Sequence, residues 1–173
     1  MPFWKDKAKS RAENEHWSPA PPGGRTLRVF GAFQIWVPEG WRMGAEPDAD
    51  GRGMPTWYRD HDPQGAIRIS TVTLAQSGET PFLAAKSFAE GARARGAANV
   101  RVEEKAERVV ASWDEVVMTP EMREGQHTMV WILSGPSVSL LITYAYPNGK
   151  RDTRPVLEEI STVRDIIGRI VLL

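Results

Sequence analysis

The chain has 173 residues, 41% of them hydrophobic and 25% charged, which suits one globular domain with room for a short appendage. Its 22 lysines and arginines balance 22 aspartates and glutamates, so it lacks the basic excess that replaces phosphate counterions, and nucleic acid is not an expected partner. The absence of cysteine excludes disulfides, thiolate nucleophiles and cysteine-ligated zinc or iron–sulfur sites, and it fits a reducing compartment.

Residues 1–26 differ in composition from the rest. They are charged and then run into SPAPPGGRT, a Pro/Gly linker signal. No apolar stretch of a secretory signal follows the N-terminal charges, and no run approaches the ~20 residues of a membrane span, so a cytoplasmic location is expected. This segment reads as an arm, with Phe3, Trp4 and Trp17 as the aromatic anchors by which it would contact a partner. Residues 27–173 form the expected single domain.

From Leu27 the pattern turns β-rich. Phe33, Ile35 and Val37 alternate with Gln34 and Trp36, predicting a half-buried strand that Pro38-Glu39-Gly40 ends. PDADGRG at 47–53 predicts a loop, Met54–Arg59 a short strand carrying Trp57 and Tyr58, His61–Gly65 a turn, and Ala66–Leu74 a strand. Thr80-Pro81 opens a helix over 81–95, with Phe82, Ala85, Phe88, Ala89 and Ala92 on one stripe and Gly96 as its stop.

Strands follow at about 99–105, 107–119, 127–134 and 137–146, with turns at Glu124-Gly125-Gln126 and Ser134-Gly135-Pro136. The last two are apolar on both faces and belong at the centre of a sheet. A final helix over 154–168 carries Val156, Leu157, Ile160, Val163, Ile167 and Ile170, and the apolar tail IVLL is expected to be buried. Together these predict an α+β fold: one antiparallel sheet of about six to seven strands flanked by a mid-chain and a C-terminal helix.

A strand ending in Phe33-x-x-x-x-Pro38-x-Gly40-Trp41, then GAIRIS at 65–70, a mid-chain helix, a long meander and a closing helix with Ile160, Ile167 and Ile170 resemble the Mog1/PsbP-like group, which includes DcrB-type and related bacterial domains. The resemblance spans about residues 28–172 and implies a sheet between helices. Members of the group include a Ran-binding transport factor, a photosystem II extrinsic subunit and chaperones for type VI secretion effectors. What it implies for activity is a non-enzymatic binding module, and it assigns no functional residue.

Chemistry-bearing motifs are sparse. His16, His61 and His127 form no His-x-x-x-His pair, so no metal is expected. Asp48-Ala-Asp50-Gly-Arg52-Gly53 puts a cation where a calcium loop needs an oxygen. Glu103-Glu104 and Glu158-Glu159 are adjacent, diverge, and read as solvated faces. Asp60-His61-Asp62 is the best base-and-orienter cluster the chain offers, though a surface turn explains it as well.

Trp36, Trp41 and Trp57 either cluster at the surface as a binding patch or fill a covered core, with the core favoured. No cofactor is expected. The reading is a protein-binding or adaptor domain that contacts another protein or itself. One alternative is a secretion-effector chaperone shielding apolar segments in a long groove. Another is a small-molecule site or enzyme with a pocket near Trp57 and His61, lined also by Trp131; across these readings Trp36, Trp57, Tyr58, His61 and Trp131 are the candidate binding residues.

Overall fold

The computed structural model describes residues 23–47, 53–72, 81–105 and 107–173. Phe3, Trp4 and Trp17, the Asp48–Arg52 stretch and the predicted Thr80 cap lie outside them. The described chain forms ten strands, two α-helices and a single 3-10 turn at Asn148–Lys150.

Strands β1 (Arg25–Val29) and β2 (Phe33–Val37) form a hairpin, and the C-terminal β10 (Val171–Leu172) adds to the far side of β2. The other seven strands are β3 (Trp41–Pro47), β4 (Gly53–Arg59), β5 (Ala66–Thr71), β6 (Ala98–Lys105), β7 (Arg108–Thr119), β8 (Met122–Ser134) and β9 (Ser139–Pro147). They make one antiparallel sheet in the order β3-β4-β5-β9-β8-β7-β6. Helix α1 (Pro81–Ala94) lies between β5 and β6 in the chain, and α2 (Arg154–Gly168) follows β9. The fold is α+β with an antiparallel sheet flanked by two helices, and β9 is the middle strand of the seven.

Alternation sorts the two faces. Ile67 and Ile69 of β5, Met129, Trp131 and Leu133 of β8, and Leu140, Ile142 and Tyr144 of β9 point to one side. There they meet Val156, Ile160, Val163 and Ile167 of α2 and Phe33, Ile35 and Val37 of β2. On the other face Val109, Ala111 and Trp113 of β7 and Val130 and Ile132 of β8 pack against Ala85, Ala89 and Ala92 of α1. The three alanines let the helix axis approach the sheet closely. Phe88, expected on the same stripe, is 38% exposed at the rim, because the contact is narrow and made by small side chains.

Several boundaries depart from the sequence reading. Arg25 and Thr26, assigned by composition to the linker, pair with Val37 and Trp36 in β1. The residue pattern assigns 41–46 to no element and places Pro47 in a loop, yet β3 pairs in full register with β4, from Trp41 opposite Arg59 to Pro47 opposite Gly53. Glu124-Gly125-Gln126 is not a turn. The β7–β8 hairpin closes at Thr119 and Met122, and Gly125 sits inside β8 at φ +75 beside the register shift between Val117 and Thr119. A glycine within a strand pattern marks a bulge as readily as a reversal. The apolar tail is buried only at alternate positions: Ile170 is buried, Leu172 half-buried, and Val171 and Leu173 exposed.

Ala89 is fully buried between α1 and the sheet. Ala89→Leu is expected to lower unfolding free energy in urea by about 1–3 kcal/mol through overpacking, while Phe88→Ala changes it by less.

Candidate functional site

Helix α1 packs on β6, β7 and β8, leaving the same face of β3, β4, β5 and the end of β9 without a helix above it among the described residues. A broad depression of about 350 Å³ lies there. Its floor holds Thr56, Ala66 and Ala145, and Tyr58, Pro63, Gln64, Gln126 and Pro147 rise around it. Arg68 crosses it to Glu46 in a two-pronged contact, with Nε donating to Oε2 at 2.7 Å and the second guanidinium nitrogen to Oε1 at 3.1 Å. The pairing follows from register: β4 places Thr56 opposite Arg68, and β3 places Glu46 opposite Met54, so the two charged side chains converge across β4.

The wall formed by Pro63, Gln64 and Gly65 is held from behind by Glu159 of α2. This carboxylate is 1% exposed. It accepts from the Gln64 backbone N–H at 3.2 Å, the Gly65 N–H at 3.0 Å and the Tyr144 hydroxyl at 2.8 Å, and Arg59 lies 3.8 Å away. Burial, reinforced by the bond to Glu159, raises the Tyr144 hydroxyl well above the ordinary phenol range. Gly65 must be glycine, since a side-chain carbon there would overlap the Ala145 carbonyl and the Tyr144 ring. The reading of Glu158-Glu159 as a solvated pair is therefore corrected. Glu158 is exposed and pairs with Arg154 at 2.7 Å, whereas Glu159 is a buried anchor. A signal was present: position 159 falls between Val156 and Val163 on the apolar stripe.

The residues singled out from the sequence do not converge. Trp57 is fully buried, and Trp36, Trp41 and Trp131 join it in the same core, so they form no surface patch. The second face of β2 is closed over Trp36 by the Gly24 backbone and by Arg169, whose guanidinium lies 5.5 Å from the ring centre. Tyr58 alone of the predicted binding residues lines the depression. His61 is 95% exposed in its side chain and 3.9 Å from the Asp60 carboxylate, beyond hydrogen-bond reach, so the Asp60-His61-Asp62 cluster does not assemble a base and its orienter. Asp60 instead pairs with Arg42. Among the described residues no group of three or more His, Asp or Glu side chains is placed to hold a metal ion. No described helix is long and apolar enough to cross a membrane.

This arrangement is the Mog1/PsbP-like fold, an antiparallel sheet between helices with one end of one face left open. Two solved structures carry the likeness. The solution structure of cyanobacterial PsbP (CyanoP) from Synechocystis sp. PCC 6803 superposes with a TM-score of 0.55 at 10% identity, over 90% of this chain and 96% of that one. A crystal structure from Bacteroides thetaiotaomicron VPI-5482 gives a TM-score of 0.60 at 14% identity and covers 87% of this chain. This chain spans about half, 49%, of the Bacteroides one. No protein family and no curated protein matches the sequence.

Two outcomes test the Glu159 anchor. Glu159→Ala leaves three donors without an acceptor and is expected to cost about 3 kcal/mol in chemical denaturation, with faster amide hydrogen exchange at Gln64 and Gly65. The Tyr144 effect has a defined sign. A phenol raised on folding keeps its proton when the unfolded chain loses it, so its contribution is complete below pH ~10 and declines as pH rises beyond that value. Alkaline denaturation of Tyr144→Phe is expected to show a shallower pH dependence above pH 10 than the parent chain; identical slopes would remove the assignment.

Proposed function

We propose that the chain is a non-enzymatic protein-binding or adaptor domain whose docking face is the uncovered end of the sheet at β3, β4, β5 and β9. The observation that carries this reading is the asymmetry of the second face: α1 seals β6–β8, while the adjoining strands present a groove of mixed polarity. Its polar groups are placed to be shared. Gln126 and Gln64 offer side-chain amide groups beside a floor of small side chains, which lets a partner's backbone approach.

The Arg68–Glu46 pair lies across the groove and interrupts any apolar track. That favours a partner held by hydrogen bonds over a chaperone's long apolar client segment. The splayed Asp60-His61-Asp62 turn supports a binding role rather than a catalytic one. The aromatic arm, with Phe3, Trp4 and Trp17, enters the proposal from sequence alone as a second contact.

Affinity capture from the native host with four baits tests this: the full chain, a chain lacking residues 1–22, Tyr58→Ala, and Gln126→Arg. A protein retained by the full chain and lost with both groove variants supports the groove. Loss with the truncation alone assigns binding to the arm, and a partner list unchanged by all three variants sinks the proposal.

A further inference from the structure

On the α2 side of the sheet, away from the groove, a cleft of about 220 Å³ opens between the ends of β7, β8 and β9 and helix α2. Its polar wall is ordered from behind. The Asn99 amide donates to Oδ2 of Asp114 at 2.7 Å, which fixes that carboxylate. The other carboxylate oxygen faces Nε2 of His127 at 3.7 Å, too far for a hydrogen bond. The His127 ring in turn stacks on Tyr146, with centres 5.0 Å apart and planes within 14°. Both Asp114 and His127 are mostly buried, with side chains 19% and 16% exposed, and Nδ1 of His127 is sealed away without a partner among the described residues. The wall therefore presents a carboxylate oxygen, Oδ1 of Asp114, that accepts no hydrogen bond from the described residues.

The opposite wall carries a complementary vacancy of charge. Arg151 is engaged by Asp152 at 3.3 Å, but Arg164, projecting from α2, makes no ion pair among the described residues. Between the walls lie Met129 and Ile160, and Leu157, which is 53% exposed although it belongs to an otherwise apolar stripe. Two aspartates and two arginines cancel around the cleft. A simple anion would leave Asp114 unmatched, and a simple cation would leave Arg164 unmatched. The volume falls below the roughly 300–1,000 Å³ of drug-sized pockets and limits the occupant to a small molecule.

We propose that this cleft binds a free α-amino acid with a branched apolar side chain. Its ammonium group sits at Asp114 beside His127, its carboxylate at Arg164 within reach of the Tyr146 hydroxyl, and its side chain on Leu157, Ile160 and Met129. The site is separate from the groove and does not depend on the protein-binding role assigned to it.

The test is an NMR titration of the ¹⁵N-labelled full chain with L-leucine. Two analogues accompany it: 4-methylpentanoate, which lacks the ammonium, and isoamylamine, which lacks the carboxylate. Saturable shifts at residues around His127, Tyr146 and Arg164 are expected with leucine, and each analogue is expected to bind at least about tenfold more weakly. Asp114→Asn and Arg164→Gln should each weaken leucine by a similar factor. Arg164 is exposed, so its variant keeps the parent's thermal midpoint and decides the matter if Asp114→Asn folds poorly. No saturable shift up to the solubility of leucine, an equal response to all three compounds, or undiminished binding by Arg164→Gln would each overturn the proposal.

Discussion

One carboxylate holds three parts of the molecule in register. Glu159 leaves water on α2, accepts the N–H groups of the β4–β5 turn, and takes the Tyr144 hydroxyl from the central strand. A buried carboxylate is costly unless its oxygens are saturated, and here the donors come from the β4–β5 turn and from β9. The helix is thereby fixed along its axis as well as pressed against the sheet. Apolar burial of Val156, Ile160 and Val163 is non-directional, whereas hydrogen bonds at 2.8–3.2 Å fix a position through their distance and angle. The cost of that precision falls on sequence: residue 65 must be glycine, so that the turn can come down onto β9.

The same constraint shapes the outer face. Because the Pro63–Gly65 turn is drawn toward α2, it forms a firm wall beside β4 and β5 rather than a loop lying over them. Helix α1 cannot extend to cover that area. It is fixed over β6–β8 by three alanines that admit only a close, narrow contact, and its larger residues Leu83 and Phe88 remain at the rim. An open groove beside a sealed half-sheet thus follows from two packing choices, one polar and one steric.

Much of this was legible in the residues. Strict alternation in β2, β8 and β9 gives the faces, and the spacing of Val156, Ile160 and Val163 gives α2. These are local patterns with periods of about 2 and 3.6 residues, which a single sequence carries well. The candidate sites were less legible because they depend on register. Placing the hairpin turn at Gly125 instead of Thr119–Met122 shifts every partner of β7 against β8, and Asp114 then no longer neighbours His127. Glu46 and Arg68 stand 22 positions apart, and nothing in either strand indicates that they span β4 to meet. β3 was overlooked for a similar reason. Trp41, Met43 and Ala45 alternate with Arg42, Gly44 and Glu46, but a glycine, a proline and the lack of any β-branched residue hide a strand that pairing with β4 enforces.

The tryptophans show how pairing decides between a platform and a core. Trp36 faces away from Phe33, Ile35 and Val37, so alternation alone makes it a surface residue. It is buried because β1 reaches back to Arg25, which brings the Gly24 backbone onto the indole, and because Arg169 at the end of α2 lies over the ring. Those two covers come from opposite ends of the described chain, and β10 joins them by pairing with Gln34 and Phe33 on the other edge of β2. The small three-stranded sheet therefore works as a clasp that brings the first and last elements together over one aromatic ring. That clasp is long-range pairing of short strands. At 10–14% identity it is the arrangement of such elements, more than any shared side chain, that the likeness to the two solved structures reflects.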